Sequence, residues 1–280
     1  MSIRITTLSE NSVAPRPRGL VGEWGLSVLV EVNNLKVLLD AGQSISAVNN
    51  GDILGVEWPS INVVVLSHGH YDHTGGLRRV LSRMKKTVPV IAHPDVWAAK
   101  YLQVMKEETP SYIGVPCRQV ELERLGADFE LTHDPAWLSD DVVTSGEIPM
   151  VTDFEAIDPG MYVKDREALV PDPLADDQAL FIKSEKGLVV ILGCGHRGVI
   201  NTLRHAQKVT GVENIHTVVG GTHLIRASEA QLEHTIAELM SLGVQRLGVS
   251  HCTGNAASVR LARGFGGDFF FNNAGTQISL

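Results

Sequence analysis

Within the loop His68-Gly69-His70-Tyr71-Asp72-His73, six positions hold three imidazoles and a carboxylate. Side chains of these types at this density ligate divalent transition metals. Histidines recur where three later apolar runs end: Gly193-Cys194-Gly195-His196, Gly220-Gly221-Thr222-His223 and Ser250-His251-Cys252. His68 and His70 flank one glycine, so an extended loop turns both toward one ion, and His196 completes a three-imidazole set. Asp72, His73 and His251 then form a second set. Such nitrogen and oxygen donors suit one or two Zn2+ ions, with Mn2+ or Fe2+ as substitutes. A bound ion lowers the pKa of water to ~7, and two ions clamp the attacking and leaving oxygens. Asp72 also has the chemistry to orient or deprotonate that water. Asp40 closes an apolar strand, where an acid orients a neighbouring ligand or simply turns the chain. Arg197, beside His196, and Arg226, three residues past His223, are candidate contacts for a substrate phosphate or carboxylate. Cys194 and Cys252 adjoin candidate ligands, but free cysteine is commonly a small buried apolar residue. They are therefore not counted as ligands.

The elements that must carry these residues follow from hydrophobic periodicity. Strands are expected over 3–8, 26–32 and 36–39, with Asn33-Asn34 as a hairpin turn. A buried strand over 61–66 leads into the histidine loop, and a helix over 76–83 leaves it. A strand over 87–92 ends at His93, just before Pro94-Asp95-Val96-Trp97, a helix start with proline in its first turn. His93 is therefore assigned to capping or the core, and a helix is expected over 94–106. His133 ends no strand and is read as a surface residue. Residues 107–178 show little periodicity beyond short strands at 129–132 and 142–144. Within a single domain spanning 1–280 they are read as an irregular flap or substrate-binding insertion. Strands then recur at 179–184, 188–193, 215–219, 244–249 and 276–280. Helices are expected over 199–208, 228–242 and 256–263, the second opened by the capping box Ser228-Glu229-Ala230-Gln231. Strand-loop-helix units thus end in His68 and His70, His196, His223 and His251, and ligands of open α/β sheets gather at the carboxyl ends of strands.

The 280-residue chain is 44% hydrophobic and 20% charged, which is enough to bury a core and too little charge for disorder. A net charge of −8 without any basic run weighs against nucleic acid as a partner. No stretch approaches the ~20 apolar residues that span a bilayer. The N-terminus lacks the basic-then-apolar order of a signal peptide and reads as a strand. Three widely spaced cysteines point to reduced thiols and a cytoplasmic protein. The partners expected are a small-molecule substrate and, at most, a second copy of the chain in a homodimer.

His68-Gly69-His70-Tyr71-Asp72-His73 resembles the His-x-His-x-Asp-His signature of the metallo-β-lactamase fold superfamily. The order of Asp40, that signature, His196 and His251 is also similar, and the resemblance covers most of the chain. It implies an α/β fold: a four-layer αββα sandwich of two similar βα halves. Trp24-Gly25-Leu26-Ser27, the run 67–77, Gly193-Cys194-Gly195-His196, Gly220-Gly221-Thr222-His223-Leu224 and His251-Cys252-Thr253-Gly254 resemble one branch. That branch holds dihydropterin-ribofuranosylaminobenzene-phosphate synthase-like (dihydropteroate-synthase-like) metallohydrolases and many uncharacterised hydrolases. One departure matters. Many dinuclear members carry an aspartate that bridges the metals, and here His223 stands in its place. Imidazole bridges two ions only when deprotonated, which leaves hydroxide as the sole bridge or a single bound metal. His223 is accordingly read as facing the site, as ligand, general acid or donor to substrate.

These readings lead to a metal-dependent hydrolase of a small anionic ester, lactone or phosphoester. Metal-bound hydroxide attacks, the ions stabilise the oxyanion, and Asp72 and His223 are the catalytic side chains. The alternatives are a transferase that forms a C–N bond on a pterin substrate, as the branch implies, and a metal-binding sensor with little turnover. Redox use of a di-iron centre lacks a flavin-binding module, and the acidic balance disfavours a nuclease.

Overall fold

Alternation along the strands sets the layers. In the segment Leu35–Leu39, Val37 and Leu39 join one apolar cluster and Leu38 joins another. Gly187–Leu192 divides in the same way, with Val189 and Ile191 on one face and Leu188, Val190 and Leu192 on the other. Successive strand side chains point to opposite faces, so strands that are apolar on both faces must be covered on both. The computed structural model, which describes residues 1–105 and 109–280, meets that requirement with a four-layer sandwich.

The first part of the chain forms β1 (Ile3–Ser9), β2 (Ser27–Val32), β3 (Leu35–Leu39), α1 (Ser46–Ile53), β4 (Val63–Val65), α2 (Tyr71–Thr74), α3 (Leu77–Met84), β5 (Val88–Ala92), β6 (Lys100–Leu102), β7 (Ser111–Tyr112), α4 (Gln119–Glu123) and β8 (Ala127–Leu131). The remainder forms β9 (Val142–Thr144), β10 (Met161–Asp165), β11 (Ala168–Pro171), β12 (Ala179–Ser184), β13 (Gly187–Leu192), α5 (Val199–Thr210), β14 (Ile215–Gly221), α6 (Glu229–Ser241), β15 (Arg246–Ser250), α7 (Asn255–Phe265), β16 (Phe269–Phe271) and β17 (Gln277–Ser279). One sheet has the order β17-β1-β2-β3-β4-β5-β8 and a second β16-β15-β14-β13-β12-β9. Their inner faces share a core in which Val30, Val37 and Val65 meet Leu180, Val189 and Ile191. Outside the first sheet, α3 packs Leu77, Val80 and Leu81 near Leu38 and Val64. Outside the second, α5, α6 and α7 bring Leu203, Leu239 and Leu261 to Val190 and Val218.

Strands β3, β4 and β5 are mutually parallel, as are β13, β14 and β15. Their carboxyl ends therefore lead directly into the loops that carry Asp40, His68–His73, Cys194–His196, His223 and His251. Among the described residues, no helix is long and apolar enough to cross a membrane.

Two expectations change. The helix over 94–106 is absent from the described residues: a short 3-10 turn, Pro94–Trp97, gives way to β6. Pairing of Lys100 and Tyr101 with Val163 and Tyr162, together with buried ion contacts of Lys100, overrides the local helical pattern. Lys106, at the end of that expected helix, and Glu107 and Glu108, at the start of the long 107–178 segment, lie outside the described residues. In the rest of that segment the strands expected at 129–132 and 142–144 are found as β8, which extends the first sheet, and β9, which extends the second, and further strands appear. β10 and β11 join β6 and β7 in a small third sheet. Ala168–Pro171 is exposed at every position, so it carries no alternation to read.

Candidate metal centre

The loop after β4 is pinned from several sides. Ser67 donates its N–H to Asp40 Oδ1 at 2.7 Å and its hydroxyl to Asp40 Oδ2 at 2.7 Å. Gly69 N–H donates to Asp176 Oδ2 at 2.8 Å, and Tyr71 N–H to the Ile113 carbonyl at 2.9 Å. Gly69 lies so close to the Val96 carbonyl that any Cβ there would collide with it.

The loop brings His68 and His70 to His196. His68 Nε2 and His196 Nε2 are 3.3 Å apart, and the His70 ring centroid lies 4.5 Å from that of His68 and 4.9 Å from that of His196. The one proton of the Ser67 hydroxyl goes to Asp40, so Ser67 Oγ accepts from His68 Nδ1–H at 2.9 Å. The lone pair of His68 Nε2 then points inward. His70 Nε2 is buried with no hydrogen-bond partner. Burial lowers the His70 pKa to about 3 and holds His68 and His196 well below the usual imidazole range. Converging, unprotonated imidazole nitrogens in a dry site fit a cation.

Asp72, His73 and His251 meet beside them. Asp72 Oδ2 is 3.2 Å from His251 Nε2 and 3.9 Å from His73 Nε2. His73 Nδ1 donates to Asp40 Oδ2 at 2.6 Å, and His251 Nδ1 to Asn11 Oδ1 at 2.9 Å. Both rings thus turn Nε2 inward, the orientation that carboxylate and amide partners impose on metal-ligating histidines. Burial alone would lower the His73 pKa, but the Asp40 and Asp72 carboxylates outweigh it and raise it to about 9. For Asp72, burial is outweighed by His73 and His251, which keep the carboxyl well below its ordinary range. His251 adopts a left-handed φ of 54° and donates its N–H to buried Glu10 at 2.7 Å.

Cys194 sits among these ligands: its sulphur is 3.1 Å from His73 Nε2. The cysteine is buried, as a small apolar residue would be, yet the groups around the sulphur are imidazoles and the Cys252 thiol. His223 lies with its ring centroid 4.1 Å from that of His196, and its Nε2 is 3.2 Å from Asp158 Oδ2. Burial would lower its pKa, but Asp158 and Cys252 outweigh that and raise it to about 10. Above the two donor sets opens a cavity of about 220 Å3. Its floor includes His70, Asp72, Cys194, His196 and His251, and its walls include Trp24, Leu102, Ile113, Met161, Ile225 and Arg226. Ile113, Asp158 and Met161 bring the 107–178 segment to the cavity. Arg197 does not line it: the guanidinium donates to the carbonyls of Ile148 and Pro173, which removes it from the candidate substrate contacts. Asp158, Glu10 and Asn11 carry no signal in the sequence, because nothing nearby in the chain marks them.

A second histidine cluster has different chemistry. His93 and His133 lie 3.0 and 2.8 Å from Glu147 Oε1, and 2.8 Å from each other. His93 Nδ1 accepts the Asp95 N–H at 3.0 Å, the capping role expected for it. The proton of the neutral ring therefore sits on Nε2, directed at Glu147. A metal-ligating histidine has the reverse arrangement, so this cluster is a hydrogen-bonded tie. His133, although exposed as expected, is one of its members.

Residues 25–199 match the family described as the metallo-beta-lactamase superfamily. Over its whole length the chain is 31% identical to a 7,8-dihydropterin-6-methyl-4-(beta-D-ribofuranosyl)-aminobenzene-5'-phosphate synthase of Methanocaldococcus jannaschii, spanning 97% of that protein. It is 30% identical to an uncharacterised protein of the same organism, across 92% of this chain and 94% of the relative. The solved structure of Tm1679, described as a metal-dependent hydrolase of the beta-lactamase superfamily, aligns with a TM-score of 0.83 at 27% identity. That match covers 99% of this chain and 98% of the other.

Proposed function

Because the chain belongs to the metallo-β-lactamase superfamily, we propose that it is a metal-dependent hydrolase of a small anionic ester, lactone or phosphoester. The observation that carries this reading is the convergence of two donor sets, His68, His70 and His196 beside Asp72, His73 and His251, of which His70, His196, Asp72 and His251 reach the floor of one cavity. These residues would hold divalent ions, with zinc favoured by an imidazole-rich set, and the ions would supply Lewis acidity toward the scissile group and lower the pKa of a bound water.

The chain's own side chains do the rest. Asp40 fixes the His73 ring directly and the His68 ring through Ser67. Asp72 is placed both to ligate and to orient a water against the substrate. His223, kept protonated by Asp158, donates its proton to the leaving oxygen as general acid. Arg226 at the wall and the protonated His223 favour an anionic substrate. The cavity is smaller than the ~300–1,000 Å3 of sites for drug-sized ligands, so a small molecule, or the reacting end of a larger one, fits within it.

Steady-state assays of metal-reconstituted protein on p-nitrophenyl esters, phosphodiesters and lactones test the reading. Turnover of one class, abolished by a chelator and by His68→Ala, supports it. A fully loaded protein that turns over none of them is not this hydrolase.

The full-length 31% relationship to a protein named as a synthase favours a second reading, a transferase forming a C–N bond on a pterin. Incubation with a pterin pyrophosphate and an aminobenzoate-like acceptor, read by mass spectrometry, tests it, and the absence of a condensation product removes it. Tight ligand binding without product from either assay favours a sensor instead.

A further inference from the structure

We propose that Cys194 is a thiolate ligand shared by both ions, seated between the two donor sets. This rests on the metal-centre reading above and adds a sulphur to it. Cys194 Sγ lies with the ligand atoms of His68 and His196, mutually within 4.8 Å, and equally with those of His73 and His251. Among the described residues it is the one side chain that groups with both sets in this way. Its 3.1 Å separation from His73 Nε2 is within about half an ångström of the ~3.6 Å expected across a tetrahedral zinc with bonds of ~2.3 Å to sulphur and ~2.0–2.1 Å to nitrogen.

The backbone explains how the sulphur gets there. The chain leaves β13 pressed against the Ser67 hydroxyl, so closely that a side chain at Gly193 would strike it. This sets Cys194 down on the same Asp40–Ser67 floor that orients His68 and His73. Cys252 differs. Its Sγ donates to the Cys194 carbonyl at 3.3 Å, and it groups with His223 and Cys194 but with neither donor set. A sulphur between the ions supplies the bridging negative charge that His223 does not, since a bound ion lowers the thiol pKa and the proton leaves to solvent. A shared thiolate also tilts the centre toward zinc or cobalt and away from manganese, which prefers oxygen.

Cobalt reconstitution of the full-length protein provides the test, with metal content measured in parallel. The expected result is a near-ultraviolet thiolate-to-cobalt charge-transfer band that grows through both equivalents of Co2+. Cys252→Ser keeps the band, and Cys194→Ser loses it while still binding cobalt through histidine. X-ray absorption on zinc-loaded wild type needs no variant, and is expected to show a sulphur shell at about 2.3 Å. That measurement decides the matter if Cys194→Ser does not fold. Two bound cobalt ions without the band, a zinc edge without sulphur, or a band retained by Cys194→Ser overturns the sulphur ligand and leaves the histidine centre standing. A band lost in Cys252→Ser and kept in Cys194→Ser assigns the sulphur to the wrong cysteine. Saturation after one equivalent makes the ligand terminal and overturns the sharing. Wild type that binds no cobalt sinks the metal-centre reading and this proposal together.

Discussion

Asp176 holds the backbone of the histidine loop from a distant segment: its Oδ2 accepts the Gly69 N–H at 2.8 Å, while its Oδ1 contacts Lys100 Nζ at 2.9 Å. Lys100 is buried and also contacts Asp172 Oδ2 at 2.8 Å. Removing the cation leaves two buried carboxylates without a counter-charge. Lys100→Met should therefore cost about 3–5 kcal/mol in denaturant unfolding. Adding Asp172→Asn and Asp176→Asn should recover much of that loss. A single-variant cost below about 1 kcal/mol would show that the loop does not depend on this ion cluster.

His68→Ala and His251→Ala each remove a donor from a different set. Elemental analysis should find both variants depleted of metal, with activity lost in proportion. Full metal content in His68→Ala would show that the three-histidine set has been wrongly drawn.

Asp40 does not line the cavity above the donor sets, yet it accepts from the Ser67 hydroxyl and from His73 Nδ1. Asp40→Asn puts an N–H where an acceptor is needed and frees both histidine rings. Metal affinity should fall by roughly 10–100-fold, the usual effect of losing such a partner. Competition with a chromophoric chelator measures it, and an unchanged affinity would contradict the orienting role.

His223 Nε2 is engaged by Asp158 rather than by the donor sets. In His223→Ala, metal content should stay at the wild-type level while kcat falls by roughly 10²–10⁴. Loss of metal instead would make His223 a ligand.

In metal-free protein the contribution of the site histidines to stability should be greatest near pH 6.5, with Asp177, raised from 3.8 to about 7 by burial, opposing them on the acid side. His70 has its pKa lowered from 6.5 to about 3, so its contribution is complete above 6.5 and is lost as the pH falls toward 3. His68 and His196 shift in the same direction. His73 is raised from 6.5 to about 9, so its contribution is complete below 6.5 and is lost as the pH rises through 9. Each group contributes a slope of up to about 1.4 kcal/mol per pH unit within its window. Thermal melts of chelator-treated protein across this range check the shape, and His70→Gln should flatten the acid limb.

The donor residues were legible because their signals are local. Three imidazoles and a carboxylate fall within His68–His73, and apolar runs that read as strands end at His196, His223 and His251, which places them on one sheet edge before any fold is known. The layered sandwich is expected from the resemblance of that signature to the superfamily, and the apolar clusters on both faces of β3 and β13 meet it. Tertiary structure alone decided how the site is assembled. Asp40 reaches His73, Asp176 reaches Gly69, Asn11 reaches His251 and Asp158 reaches His223 across 33 to 240 positions of chain. A single short polar residue carries no periodic trace of such a partner. The same holds for Lys100, whose buried carboxylates turn an apparent helix into a strand. It holds most of all for Cys194, whose sequence shows only a small residue between glycines and whose meaning comes from the imidazoles that two separate sheets bring around its sulphur.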